Sequence, residues 1–465
     1  MQHIIHYLRD HREKHLDELF QLVRIPSVST LPEHAGDVMK CAEFLAEHFT
    51  TLGMNAVKIM PTGKHPVVYG EWLELPDAPT ILIYGHYDVQ PPEPLELWDS
   101  PPFEPEIRDG QIYARGIADD KGLFFAYVKA IEGFFTQDGV LPVNIKLLIE
   151  GEEEIGSENL HTFVQEHAEL LKADAIVLSD NSMFAPGVPT ICCGTRGLVS
   201  LQIDLESAAR DLHSGGFGGL AENPIQVLAD MLSALKDKNE RVTIPGYYDD
   251  VAELTESERQ NFAALPFDED AEKASVGISE FVGEKGFTLL ERRWTRPTLD
   301  VNGILGGFTG EGVKTIIPAK AMAKITLRLV PNQDPNKIAR AAEKYITSLA
   351  PSSVTCSVHA EVGGKAYVTP IDHPILAHVS EGIRKTYDRK PVFSRTGGTI
   401  GVLSTFADVL QVPIAMVGFS NPDDNIHAPN EHLTEEAFYT GCEVAAHVLN
   451  ELKLWKPESS ETQGE

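Results

Sequence analysis

Basic residues are scarce in this chain. Its 39 Lys and Arg stand against 69 Asp and Glu, a formal net charge of −30. Such a surface repels nucleic acid and anionic membranes, so neither is an expected partner. Cysteine is scarcer still. Cys41, Cys192, Cys193, Cys356 and Cys442 are odd in number and form no C-x-x-C pair. A disulfide framework is therefore not expected, and buried free thiols in a reducing cytoplasm are. No apolar run approaches the ~18 residues of a spanning helix. The opening Met-Gln-His-Ile-Ile-His has neither a basic n-region nor an apolar h-region, so a cytoplasmic location is expected. A G-x-S-x-G elbow, a P-loop and a strand-linked G-x-G-x-x-G are also missing. Serine hydrolase, NTPase and dehydrogenase readings lose their support.

What is present is an ordinary globular composition, 42% apolar and 23% charged, over 465 residues. That length suggests two or three domains. Ile5, Leu8, Leu16, Leu19, Phe20 and Val23 keep a helical period, so one amphipathic helix opens the chain. A second carries Val38, Cys41, Leu45, Phe49 and Leu52 and stops at Gly53. Strands over 67–73 and 80–88, a helix over 122–135, a strand over 143–150, a helix over 158–167 and a strand over 175–180 follow. This alternation predicts an α/β domain with helices on both faces of a mainly parallel sheet.

Near Gly197 the pattern changes. Residues 198–206 alternate apolar and polar, a helix is expected over 224–235, and a long acidic insertion with turn signals comes next. A strand over 321–330, a helix over 335–349 and a strand over 354–361 complete a compact α+β unit. From Pro374 the first pattern resumes, with a strand over 412–418 and a closing helix over 434–452. The expected organisation is 1–197 plus 373–465 as one domain, interrupted by 198–372. The polar tail 456–465 is expected to be disordered.

Chemistry-bearing residues gather just after the apolar strands. Gly85-His-Tyr-Asp-Val-Gln-Pro91 ends the run Thr80-Ile-Leu-Ile-Tyr84. His86 and Asp88 are two apart, which on a strand puts both on one face, and an imidazole beside a carboxylate is the smallest metal-ligand pair. Ala118-Asp119-Asp120-Lys121-Gly122 follows ARGI, and the run Glu150-Gly-Glu-Glu-Glu-Ile-Gly156 closes NIKLLIE. Leu178-Ser-Asp-Asn181 closes AIVL, and Asn425-Ile-His-Ala-Pro429 follows VPIAMVGF. Each segment alone reads as a solvated acidic turn. Together they would converge outside the carboxyl ends of the strands, where open α/β sheets bind ligands. So many carboxylates with two histidines need a divalent cation to offset their repulsion. His11 and His15 stand four apart on the first helix, but a zincin helix carries Glu directly after its first histidine.

In this order GHYDVQP, ARGIADDKG, EGEEEIGS, LSDN, DLHSGGFGG and NIHAPNE resemble the co-catalytic dinuclear metallopeptidases. That family includes carnosine dipeptidases, aminoacylases and succinyl-diaminopimelate desuccinylase. The resemblance covers nearly the whole chain, and WDSPPFEP with IRDGQIYARGIADDKG resembles the dipeptidase branch. It implies a zinc-peptidase-like α/β catalytic domain interrupted by an α+β lid and dimerisation domain. It implies two metal ions per chain, bound by His86, Asp119, Glu154, Asp180 and His427, with Asp119 bridging. Asp88 would orient the His86 ring, Glu153 would be the general base, and Glu152 would be structural. Asp119-Asp120 would be a cis peptide. His213, in the Gly-rich loop, would stabilise the oxyanion from the partner subunit of a homodimer. Arg328 would fork the substrate's C-terminal carboxylate, with Thr315, Gly398 and Thr399 as further substrate contacts. Mixed nitrogen and oxygen ligands suit zinc, and manganese or cobalt also fits.

The expected activity is hydrolysis of a small peptide, a dipeptide with a free C-terminal carboxylate. The alternative is an N-acyl-amino-acid amidohydrolase with the same metals, base and clamp. A non-catalytic binding protein on this fold is disfavoured, because every ligand position and the base are filled.

Overall fold

Strands that are buried along their whole length place the site. The computed structural model describes residues 1–457, so the expected tail lies, from residue 458, outside them. The chain divides into two compact units. One comprises Met1–Cys193, Thr369–Ser394 and the chain from Thr405, and the other comprises Gly194–Val368 and Arg395–Ser404. The divisions lie a few residues before those expected at 197/198 and 372/373. Arg395–Ser404 groups with the second unit because its backbone is bonded there: Thr396 N–H donates to Gly194 O and Arg196 N–H to Gly398 O, each at 2.9 Å.

The first unit holds an eight-stranded sheet. Four inner strands run parallel in the spatial order Asn144–Glu150, Thr80–His86, Ala175–Leu178 and Ile414–Gly418. Val67–Trp72 and Ala56–Met60 extend one edge antiparallel, and Thr190–Cys192 with Val392–Ser394 form the other. The inner strands are apolar runs rather than alternations because both faces are covered. Each of Ile81, Ile83, Leu147 and Val177 is at most 1% exposed. Burial stabilises each by about 1.5–3 kcal/mol. Helix Lys121–Asp138 packs on Thr80–His86, and Glu435–Leu452 packs on that helix and on Pro374–Tyr387.

Two local expectations differ. The opening helix is two, Gln2–Asp10 and Arg12–Val23, broken where the His11 ring bonds the Tyr7 carbonyl at 2.9 Å. The closing helix, expected from residue 434, starts at Glu435: Thr434 caps it and ends the short strand His432–Thr434, which pairs with Gln111–Tyr113.

The second unit is an antiparallel four-stranded sheet in the order Thr298–Gly306, Lys320–Leu329, Gly197–Glu206, Thr355–Gly364. Val199, Leu201, Ile203 and Leu205 point into its core, where they meet helices Pro224–Ser233 and Pro335–Leu349. Both helices begin with Pro at the first turn behind an Asn223 or Asp334 cap. The acidic insertion is more ordered than its turn signals suggested. It contains helices Glu256–Ala263, Glu269–Val276 and Leu289–Thr295 and the edge strand Thr298–Gly306. Thr255 and Thr288 start two of these with complete capping boxes, which offset their weak apolar pattern.

Candidate metal centre

Parallel register brings the site together. His86 pairs with Glu150 and Tyr84 with Leu178, so the segments after these strands leave the sheet at one level. At Gly85 a Cβ would lie 2.6 Å from Phe124 Cβ and 2.8 Å from Asp120 Oδ2. Only glycine lets the strand approach the Asp119 loop this closely. There the His86 N–H donates to Asp120 Oδ2 at 3.2 Å. The Asp119-Asp120 peptide is cis.

Asp119 is the hub. Its Oδ1 lies 3.0 Å from His86 Nε2 and its Oδ2 2.9 Å from His427 Nε2. His427 Nε2 is also 3.2 Å from Glu154 Oε2. Donor atoms fall into two trios, His86–Asp119–Asp180 and Asp119–Glu154–His427, each with its atoms within 4.8 Å of one another. Asp119 belongs to both.

Electrostatics fit this donor set to cations. Burial opposes charge on His86, yet its hydrogen bonds to Asp119 and Asp88 hold its pKa well above the usual histidine range. Hydrogen bonds to Asp119 and Glu154 raise His427 to about 10. Burial raises Asp180 to about 7, helped by the charge of Asp119. Burial likewise pushes Glu153 well above the carboxylate range, with His86 opposing and Asp180, Glu150 and Glu154 adding to it. Protons on the two imidazoles offset part of the crowded negative charge. A cation in each trio offsets more and leaves the imidazoles neutral, the form that ligates.

Asp88 does more than face the ring. His86 Nδ1 is 3.1 Å from the Asp88 backbone carbonyl and 3.5 Å from its carboxylate, so the carbonyl is the closer acceptor. The carboxylate accepts the backbone N–H groups of Glu153 and Glu154 at 3.2 and 3.0 Å. Glu152 is 2% exposed and accepts from His65 N at 2.8 Å, from Asn159 Nδ2 at 2.8 Å and from the Thr62 hydroxyl. It ties down the loop and joins neither trio.

Two supporting residues escaped the sequence reading. Glu431 is fully buried, and its Oε1 accepts from Ala118 N and Asp119 N at 2.9 and 3.2 Å. Its Oε2 accepts from Gly116 N at 3.0 Å and from the buried Arg115 guanidinium at 2.7 Å. Glu431 thus holds the backbone that presents Asp119. Both residues lie inside the motifs ARGIADDKG and NIHAPNE, but motif membership alone does not reveal the pairing. Gln90 is the third addition, donating to Glu154 Oε2 at 2.7 Å.

The remaining expected residues lie in the second unit. Arg328 Nη1 donates to Thr399 Oγ1 at 2.7 Å, and Gly398 adjoins that threonine. His213 is exposed, accepts from Gly215 N at 3.0 Å, and pairs through its strand with Ile316, next to Thr315. No hydrogen bond joins His213 or Thr315 to Arg328 or Thr399 among the described residues.

The family model of Peptidase family M20/M25/M40 matches residues 82–451, a span that contains both trios. The chain belongs to this family. This M20 peptidase is 31% identical over 462 residues to the Cys-Gly metallodipeptidase dug1 of Schizosaccharomyces pombe, covering 96% of this chain and 97% of the relative. Among solved structures, human carnosine dipeptidase 1 matches at a TM-score of 0.81 and 28% identity, covering 97% of this chain and 98% of that one. The M20 family metallo-carboxypeptidase Sso-CP2 from Sulfolobus solfataricus matches at 0.83 and 33% identity, covering 95% and 99%.

Proposed function

We propose that this M20 peptidase hydrolyses dipeptides carrying a free C-terminal carboxylate, using two divalent cations. The observation that carries the reading is Asp119, whose two oxygens face two separate ligand trios. Its relatives named for Cys-Gly and carnosine hydrolysis favour a peptide substrate over an N-acyl amino acid.

His86 and Asp180 would hold one cation and Glu154 and His427 the other, with Asp119 contributing to both trios. Zinc suits these donors, and manganese or cobalt fits them as well. When bound, the pair supplies a more acidic water and polarises the scissile carbonyl. Glu153 takes the proton from the attacking water and delivers it to the leaving amine. Arg328 forks the C-terminal carboxylate, and Thr315, Gly398 and Thr399 contact the same substrate.

The interrupting unit serves as lid and dimerisation domain in a homodimer, with His213 of one subunit stabilising the oxyanion in the other. The exposed side chains of Val301, Ile304 and Leu305 on its edge strand support that role. A cytoplasmic setting accords with the few, odd-numbered cysteines and with no helix long and apolar enough to cross a membrane among the described residues.

The deciding experiment compares kcat/KM for a dipeptide, its C-terminal amide and its N-acetyl form on metal-loaded protein. The free dipeptide is the expected best substrate. A preference for the N-acetyl form assigns an amidohydrolase instead, and equal rates on acid and amide remove Arg328 from the clamp.

A further inference from the structure

Arg196 and Arg328, neighbours in the second unit, carry guanidinium groups with no acid to pair with among the described residues, in a chain of net charge −30. Both are only partly exposed, and neither has a carboxylate of the described residues within ion-pair distance. Their neighbours differ. Arg293 is paired with Glu272 and Arg395 with Glu258.

Local structure holds the unpaired two side by side. Arg196 leads into the strand Gly197–Glu206, in which Leu198 is the register partner of Arg328. Both side chains reach the same loop: Arg196 Nε donates to Gly397 O at 2.9 Å and Arg328 Nη1 to Thr399 Oγ1 at 2.7 Å. Burial, then the charge of Arg328, lowers the Arg196 pKa to about 10. Asp300 acts on Arg196 in the opposite sense from beyond ion-pair reach, its carboxylate taking the Thr298 hydroxyl at 3.2 Å. The anchoring bond uses Nε of Arg196 and leaves both terminal nitrogens free to grip a carboxylate in the planar, two-pronged way.

We infer that Arg196 is a specificity residue, and that Arg196 and Arg328 together seat a substrate end bearing two acid groups. The C-terminal carboxylate lies on Arg328 and a side-chain carboxylate on Arg196, so the favoured C-terminal residue is aspartate or glutamate. The inference rests on the dipeptidase reading and sharpens it. One carboxylate offsets only one of the two adjacent charges, whereas a second offsets both. A neutral amide of the same shape hydrogen-bonds but leaves the second charge uncompensated.

The test uses metal-loaded full-length enzyme with Ala-Asp, Ala-Asn, Ala-Glu and Ala-Gln. The acid-to-amide ratio of kcat/KM is expected to be about tenfold or more, about one charge-assisted hydrogen bond's worth, and to be carried by KM. In R196Q, which keeps a donor for Gly397 O and loses the charge, the ratio falls to about one. R196K keeps the charge without the fork, and its ratio falls between the two; it carries the test if R196Q does not fold. A wild-type ratio near one overturns the inference, as does a wild-type preference that survives in either variant. Failure to hydrolyse any dipeptide overturns the dipeptidase reading itself, and the inference with it.

Discussion

The Asp88 carboxylate fastens Glu154 by its backbone, taking that N–H at 3.0 Å with one oxygen while the other takes the N–H of Glu153 at 3.2 Å. Adjacent residues held this way send their side chains apart. Glu154 turns to His427, and Glu153 lies near His86 and Asp180. The roles of the two glutamates should therefore separate on mutation. Glu153→Gln is expected to keep both metals and lose several orders of magnitude in kcat, because the amide cannot accept the water's proton. Glu154→Gln is expected to lose metal from one trio. Metal content and kcat measured on both variants check this, and the reverse pattern would exchange the roles.

Metal removal should abolish turnover. Chelator-treated protein is expected to be inactive, and reloading with zinc, manganese or cobalt should restore activity as binding approaches two ions per chain. Proton uptake on acidification should compete with loading, because His86 and His427 hold protons tightly in the metal-free protein. Elemental analysis across a titration checks the stoichiometry, and saturation at one ion would dismiss the bridging role of Asp119.

Subunit mixing tests His213. In the proposed homodimer, His213→Ala and Glu153→Gln proteins should each be inactive. Mixed heterodimers combine an intact His213 with an intact Glu153 at one of their two centres and should regain part of the activity. No recovery, with subunit exchange demonstrated by mass, would confine His213 to its own chain.

Acid stability has a separate origin. Lys129 Nζ, fully buried, donates to His48 Nε2 at 3.1 Å and to Glu132 at 2.6 Å. Burial, then the Lys129 charge, lowers His48 to about 4. An unfolded histidine titrates near 6.5. Between these values the unfolded chain binds more protons than the folded one, so stability falls as pH drops through this window. His48→Gln removes that titration. In metal-free protein it should lose less stability than wild type between about pH 6.5 and about pH 4.5, by on the order of 2 kcal/mol. Urea midpoints at the two pH values measure it. Equal losses in both proteins would assign the acid sensitivity to other groups, such as His15.

The α/β core was legible because its strands are fully buried and announce themselves as apolar runs such as NIKLLIE and AIVL. The ligand positions were legible because each follows such a run. Glu431 was not, because its task is to accept backbone N–H groups more than three hundred residues away in sequence, which leaves no local periodicity. The helices of the acidic insertion escaped for a different reason. They are short and mostly polar, started by Thr255, Asp268 and Thr288 at their first turns, and bury too few apolar side chains, such as Phe262, Leu290 and Trp294, to show a period. Arg196 looked like any strand-flanking arginine until its lack of an acid could be seen.

Glu431 also sets the order in which the site comes into being. The loop it grips, Gly116 to Asp119, is made more than three hundred residues before Glu431 and His427. A nascent polypeptide carrying every other ligand still lacks the carboxylate that fixes the Asp119 backbone and the imidazole of the second trio. The two trios are therefore complete only once the segment bearing His427 and Glu431 has folded back onto a loop some three hundred residues earlier, so their assembly is a tertiary event and not a local one.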